Sequence, residues 1–193
     1  LGAYTIHRKN DVNYESVGIP FKDVKIEIFE PDKEGLGEII VKNKNCINGY
    51  FKVSGNYDPI SPDKWFHTGD AGYIDKAGHL VVIDRVSDLS FTSEKLRYSP
   101  QYLENKLKFS PFIAEAAVIG SNKPYLSSII CIRYSVLSKW AEQKRVAFTT
   151  YSDLASKVEV EKLLVSEVEK VNGSKRVALR LSLEIVLLSS GIK

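Results

Sequence analysis

The sequence predicts an α+β fold, with a β-rich N-terminal part over residues 1–86 followed by a small mixed α+β domain over residues 87–193. Two observations predict it. Before residue 86 the apolar residues alternate with period two between Gly-, Pro- and Asp-rich punctuation, as half-buried strands do. Beyond Ser87 apolar residues also recur at helical spacing behind recognisable helix starts. With 193 residues, 44% hydrophobic and 26% charged, the chain has the material for one domain or two small ones and none of the bias of a disordered or fibrous protein.

In the first half, Val24-Lys25-Ile26-Glu27-Ile28-Phe29 alternates apolar and polar, Pro31 to Gly35 interrupts, and Gly37-Glu38-Ile39-Ile40-Val41 resumes. That is a hairpin with a longer loop. The pattern repeats about Asp75-Lys76-Ala77-Gly78, with residues 71–74 on one side and 80–83 on the other. Residues 53–64, which hold Gly, Asn, Asp, Ser and two Pro, read as a loop. In the second half Ser99-Pro100 starts a helix, because a Ser oxygen can accept from a free first-turn amide and Pro has no amide to leave unpaired. Leu103 and Leu107 then share a face. Residues 116–119 and 127–132 read as strands and 135–144 as a helix. Residues 157–171 read as a second helix, on the spacing of Val160, Leu164, Val168 and Val171, and 181–188 as a closing strand.

Composition excludes several function classes. A formal charge of +3 with Lys and Arg dispersed among Asp and Glu is not a nucleic-acid footprint. No apolar run approaches the roughly 20 residues of a bilayer span, which leaves peripheral contact as the one membrane role open to the chain. Cys46 and Cys131 lie far apart beside apolar neighbours, and His7, His67 and His79 form no cluster, so no metal site is expected. Two such cysteines suit a reducing, cytoplasmic compartment. No methionine occurs, even at residue 1, so the chain is expected to be a piece of a longer protein.

The chemistry concentrates in Trp65-Phe66-His67-Thr68-Gly69-Asp70 and, across a hairpin, Ile83-Asp84-Arg85-Val86-Ser87-Asp88. Gly69 permits a tight turn that presents the Asp70 carboxylate, and a carboxylate that accepts from two hydroxyls is a natural ribose clamp. Arg85 offers a planar fork of donors to an oxygen-rich ligand, and the hairpin brings the two ends together. Physics alone leaves a plainer alternative: a turn Asp and a surface ion pair.

The order Trp-x-x-Thr-Gly-Asp, hairpin, Asp-Arg-x-x-Asp resembles the adenylate-forming superfamily of acyl-CoA synthetases, adenylation domains and beetle luciferases. Ser16 to Pro20, Gly37 to Ile39 and Asn48 to Lys52 resemble its β-rich subdomain. Arg97 to Pro111, Lys123-Pro124-Tyr125, Trp140-Ala141-Glu142 and Thr149 to Leu154 are similar to its long-chain fatty-acid branch. The resemblance implies that residues 1–86 are the end of the large AMP-binding domain and 87–193 the mobile C-terminal domain. It implies that Asp70, Arg85 and Thr68 bind nucleotide, and that Ser87, beside Asp88, is the hinge. Lys95 stands where the family has Gly, so it obstructs close approach or forces a different loop path, meets a phosphate of CoA, or is simply an exposed loop lysine. Ser189-Ser190-Gly191-Ile192-Lys193 is similar to the family's Ser-Gly-Lys ending and makes Lys193 the candidate catalytic lysine, although the acidic, apolar stretch that usually precedes it is missing. No Ser/Thr/Gly-rich phosphate loop ending in Pro-Lys is present.

The implied parent enzyme is a long-chain fatty-acid CoA ligase. It uses Mg2+ and ATP to convert a fatty acid to acyl-AMP, then transfers the acyl group to CoA with release of AMP. The 193 residues are expected to need the N-terminal half, to hold no cofactor tightly and to be inactive alone. Two alternatives are an adenylating enzyme that loads a carrier protein and a non-catalytic binding module, the latter suggested by Lys95 and Ser87. Among the remaining residues, His67, Tyr98 and Tyr102 read as packing, His79 as solvent-facing in its turn, and Trp140 as core or domain surface. Glu159, Glu161, Glu167 and Glu169 read as the wet face of a helix.

Overall fold

The computed structural model describes residues 4–44, 49–59 and 64–173 and the backbone of 181–184. The chain divides into two units, Leu1–Leu89 and Ser90–Lys193.

In the first unit, β1 (Thr5–Ile6) pairs with β2 (Ile19–Pro20). Strands β3 (Val24–Phe29), β4 (Gly37–Asn43), β7 (Phe66–Ile74) and β8 (Leu80–Arg85) form one antiparallel sheet in the order β3-β4-β7-β8. Between β4 and β7 a two-stranded ribbon joins β5 (Gly49–Phe51) to β6 (Tyr57–Pro59). The alternation in β3 puts Val24 and Ile26 inward, where they pack with Ile39, Val41 and Leu80, and Tyr4 and Ile28 cover the cluster. Each such aliphatic side chain contributes on the order of 1.5–3 kcal/mol by leaving water.

Two expectations for this unit change. Residues 53–64 are not all loop: Lys52 donates its amide to the Asn56 carbonyl at 2.8 Å, Gly55 donates to Lys52, and the chain returns as β6. Pro59 is tolerated there because it ends the strand. His79 does not face solvent. It is 2% exposed, with Nε2 2.9 Å from Asp11 Oδ1 and Nδ1 3.0 Å from Ser16 Oγ. The residue-11-to-18 segment lies across the β7–β8 turn, fixed by bonds from Val17 to the Leu80 carbonyl and from Leu80 to the Gly18 carbonyl.

In the second unit, β9 (Ser90–Phe91) pairs with β10 (Arg97–Tyr98), and α1 (Pro100–Lys108) follows. Ser99 caps α1, its hydroxyl accepting from the Tyr102 amide at 2.9 Å. Strand β11 (Ile113–Ile119) runs antiparallel to β12 (Leu126–Ile132), which pairs in parallel with β13 (Leu181–Glu184). The rest of the expected 181–188 strand lies outside the described residues. Helices α2 (Tyr134–Gln143), α3 (Tyr151–Ala155) and α4 (Val158–Gly173) complete the unit. Leu103 and Leu107 of α1 share a core with Leu126, Ile130, Leu137, Leu154 and the α4 stripe Val160, Leu164, Val168 and Val171. Tyr98 belongs to that core, and Tyr102 and Trp140 pack against it.

Helix α3 was not expected. Its start carries a legible signal, Thr150-x-x-Asp153: the Thr150 hydroxyl accepts from the Asp153 amide, and the Asp153 carboxylate accepts from the Thr149 amide at 2.8 Å. The Lys157 ammonium and the Thr149 amide hold the Asp153 carboxyl below its ordinary range. Among the described residues no helix is long and apolar enough to cross a membrane.

Candidate functional site

The site is built on an irregularity where β7 meets β4. Glu38 pairs with Ala71 and Ile40 pairs with His67, so Ile39 alone faces Thr68, Gly69 and Asp70. Such a bulge re-aims side chains at a strand's edge of regularity. Thr68 stitches it: its hydroxyl donates to the Ile39 carbonyl at 2.7 Å and accepts from the Asp70 amide at 3.0 Å. Glu38 holds the other side, with Oε1 accepting from the Gly69 amide at 3.1 Å and Oε2 2.8 Å from His67 Nδ1. Gly69 has φ +72, and a Cβ there would stand 3.0 Å from Arg85 Nη2. Both the left-handed backbone and the close guanidinium favour glycine.

On the other side of β7, Asp70 is the direct cross-strand partner of Arg85. Arg85 Nη1 donates to Asp70 Oδ1 at 2.6 Å and reaches the Thr68 carbonyl at 3.4 Å. The side chains are 29% and 58% exposed, for Asp70 and Arg85 respectively. An ion pair this open contributes at most about 1 kcal/mol to folding. Stability alone therefore gives little reason for a bulge, a left-handed glycine and a buttressing glutamate to converge on it. Tyr4 is a further neighbour: burial, and then the Asp70 charge, push its phenol above the ordinary range. The arrangement has the chemistry to take a hydroxyl-rich or anionic ligand. It offers an acceptor pair beside a fixed cation, and the Thr68 hydroxyl is spent on shaping the bulge.

The structure thus brings Thr68, Asp70 and Arg85 together. Glu38 and Tyr4 join them, and neither was singled out from the sequence, because each reaches the bulge through tertiary structure. Ser87 and Asp88 follow β8 in an exposed 3-10 turn, Val86–Asp88, where the Ser87 hydroxyl donates to Asp88 Oδ1 at 2.8 Å. Lys95 lies in the second unit, exposed, in the β9–β10 turn with φ +61. Lys193 and Cys46 lie outside the described residues. Among the described residues no group of three or more His, Cys, Asp or Glu side chains could hold a metal ion.

No family model matches the chain. It is 28% identical over 156 residues to the long-chain-fatty-acid–CoA ligase FadD15 of Mycobacterium tuberculosis, a match covering 80% of this chain and 25% of that protein. It is 42% identical over 86 residues to the 2-succinylbenzoate–CoA ligase of Bacillus cytotoxicus, covering 45% of this chain and 18% of that one. The chain spans about a quarter or less of the length of these curated relatives. Its fold aligns with the anthranilate CoA ligase AuaEII in complex with anthranoyl-AMP, with a TM-score of 0.55 at 16% identity, over 97% of this chain and 34% of that one. It also aligns with coronafacic acid ligase from Pectobacterium brasiliense, with a TM-score of 0.52 at 17% identity, over 90% and 31%. These curated relatives are CoA ligases, and these two solved structures, whose fold the chain shares, are ligases as well.

Proposed function

We propose that this chain carries the ribose grip and the mobile C-terminal unit of an ATP-dependent acid–thiol ligase acting on a fatty carboxylic acid. The observation that carries the reading is the Asp70–Arg85 pair, held by the Thr68-Gly69-Asp70 bulge although an ion pair so exposed adds little stability. The 28% identity to a long-chain-fatty-acid–CoA ligase over most of the chain supports the fatty acid as substrate.

In the first half-reaction a carboxylate oxygen attacks the α-phosphorus of Mg-ATP, the bond to pyrophosphate breaks, and acyl-AMP forms. In the second the CoA sulfur attacks the acyl carbonyl and AMP leaves. A free carboxylate is a poor acyl donor, and the mixed anhydride supplies the leaving group it lacks. Asp70 contributes binding and orientation: its carboxylate accepts from the two vicinal ribose hydroxyls while Arg85 keeps it aimed and adds donors to the nucleotide. Fixing the ribose lowers the entropic cost of lining up the reacting atoms.

Ser87 and Asp88 serve as the hinge. Their turn is exposed and closes on a backbone bond of 3.4 Å from Leu89 to Val86, so little resists a change of φ and ψ. Lys95 meets a phosphate of CoA, and Lys193 polarises the acyl carboxylate during adenylation. Mg2+ enters with ATP, in the cytoplasm. The 193 residues do not turn over alone, because no phosphate loop is among them. A second reading, a nucleotide-binding module without catalysis, is favoured by Lys95 at the position where the family has glycine.

Calorimetric titration with AMP tests the grip. The chain should bind, and Asp70→Ala should weaken binding by about tenfold, equivalent to about 1.4 kcal/mol. Unchanged affinity in Asp70→Ala would overturn the assignment. Pyrophosphate release from ATP and palmitate should be absent from the isolated chain, and steady turnover would refute the claim that it needs a partner segment.

A further inference from the structure

The second unit holds a groove that the proposed ligase chemistry does not use. It runs between the C-terminal end of α2 and the first turns of α4, walled by Trp140, with Lys144, Arg145, Lys157 and Lys162 on its rim and Glu159 as the single carboxylate of its lining. Lys157 is paired with Asp153 at 2.8 Å. Among the described residues Lys144, Arg145 and Lys162 make no ion pair.

Part of this charge has a plain structural cause, since cations at a helix C-terminus offset the carbonyl end of the helix dipole. That accounts for Lys144 and Arg145. The pair with Asp153 accounts for Lys157; neither cause accounts for Lys162, which lies in the N-terminal part of α4, where the dipole already favours anions.

A second observation is independent of charge. The α2 helix ends in a Schellman turn: the Arg145 amide donates to the Glu142 carbonyl at 3.0 Å and the Val146 amide to the Ala141 carbonyl at 2.8 Å. That geometry requires a left-handed residue at Arg145, which has φ +58. Glycine is the ordinary occupant of that position, and a residue with a Cβ there is strained. A strained residue that presents a guanidinium to a basic groove is an observation that points toward function.

We propose that this groove binds a phosphate-bearing anion, with the Arg145 fork and the lysine ammonium groups on the phosphate oxygens and the Trp140 indole against the ligand's less polar part. Arginine matches phosphate with two parallel donors where lysine offers a point charge. Free phosphate esters and the headgroups of anionic lipids share this chemistry. The site lies within the second unit and does not depend on the Asp70–Arg85 reading.

Trp140 supplies the readout. The chain has two tryptophans, and Trp65→Phe leaves Trp140 as the sole reporter. Fluorescence of this variant should change saturably with inorganic pyrophosphate, or with vesicles of phosphatidylcholine and phosphatidylglycerol but not of phosphatidylcholine alone. The first result assigns a soluble phosphate ligand and the second a lipid headgroup. Arg145→Gly separates binding from folding: it should raise the melting temperature while weakening the titration by about tenfold. No saturable change with either probe overturns the proposal. So does an Arg145→Gly chain that binds as tightly as its parent.

Discussion

Two turns of nearly the same backbone build occupy different places in this protein, and they contrast in the residue at their left-handed fourth position. In the turn from Asp75 to His79, Gly78 donates to the Asp75 carbonyl at 3.0 Å, Asp75 donates to the His79 carbonyl, and the Asp75 carboxylate accepts from the His79 amide, each at 2.9 Å. In the turn from Thr92 to Leu96, Lys95 donates to Thr92, Thr92 donates to Leu96, and the Thr92 hydroxyl accepts from the Leu96 amide at 3.2 Å. The fourth residue is left-handed in both, at +85° for Gly78 and +61° for Lys95. The turns at Asp32–Leu36 and Lys52–Asn56 repeat the backbone pattern with Gly35 and Gly55, both at +83°. Three of these four turns place glycine where the backbone requires it, and the β9–β10 turn places lysine. A left-handed lysine costs on the order of 1–2 kcal/mol. Among the described residues its side chain makes no hydrogen bond or ion pair that offsets this cost. The contrast separates a turn that serves folding from one whose sequence is at odds with its conformation.

The largest effect expected from breaking the contrast is at Asp75. Its carboxylate accepts from the Ala77 and His79 amides and from the Asn13 side chain. Burial pushes this carboxyl up, but those bonds and the neighbouring His79 outweigh it, and the group titrates below its ordinary value. Asp75→Ala should cost about 2 kcal/mol by urea unfolding at pH 7. The sign follows from the lowered folded value: the contribution is complete above the unfolded value of about 4 and is lost as the pH falls through the lower folded value. The gap between Asp75→Ala and the parent should therefore close in acid, and a gap that persists at pH 2 would show that Asp75 acts otherwise.

Gly78→Lys, which copies Lys95 into the folding turn, should destabilise by about 1–2 kcal/mol. A neutral result would mean that the left-handed position carries no penalty in this turn. The reverse exchange is expected to be smallest. Lys95→Gly relieves the strained backbone but adds about 0.5–1 kcal/mol of unfolded-state entropy, for a net stabilisation of about 0.5–1 kcal/mol. A loss of stability would show that Lys95 has a folding role after all.

Much of the sheet could be read locally. The alternation of β3 and the Asp-x-x-Gly turns are short-range signals, and Asp70 meets Arg85 because one hairpin joins them. The Ser99-Pro100 helix start was legible for the same reason. Glu38 under Gly69, Tyr4 beside Asp70, and the burial of His79 against Asp11 and Ser16 were not legible, because each needs distant segments to pack first. The Thr68-Gly69-Asp70 bulge sits between these cases. Its residues stood out, but the three-against-one pairing with Ile39 that aims Asp70 depends on the register of β4.

The central claim is that Asp70 grips a ribose. The most direct measurement compares the affinity of the chain for AMP and for 2′,3′-dideoxy-AMP by calorimetry, in the parent and in Asp70→Ala. The parent should prefer AMP by about tenfold or more, and Asp70→Ala should bind both nucleotides equally weakly. Equal affinities in the parent, or a preference for AMP that survives Asp70→Ala, would contradict the account.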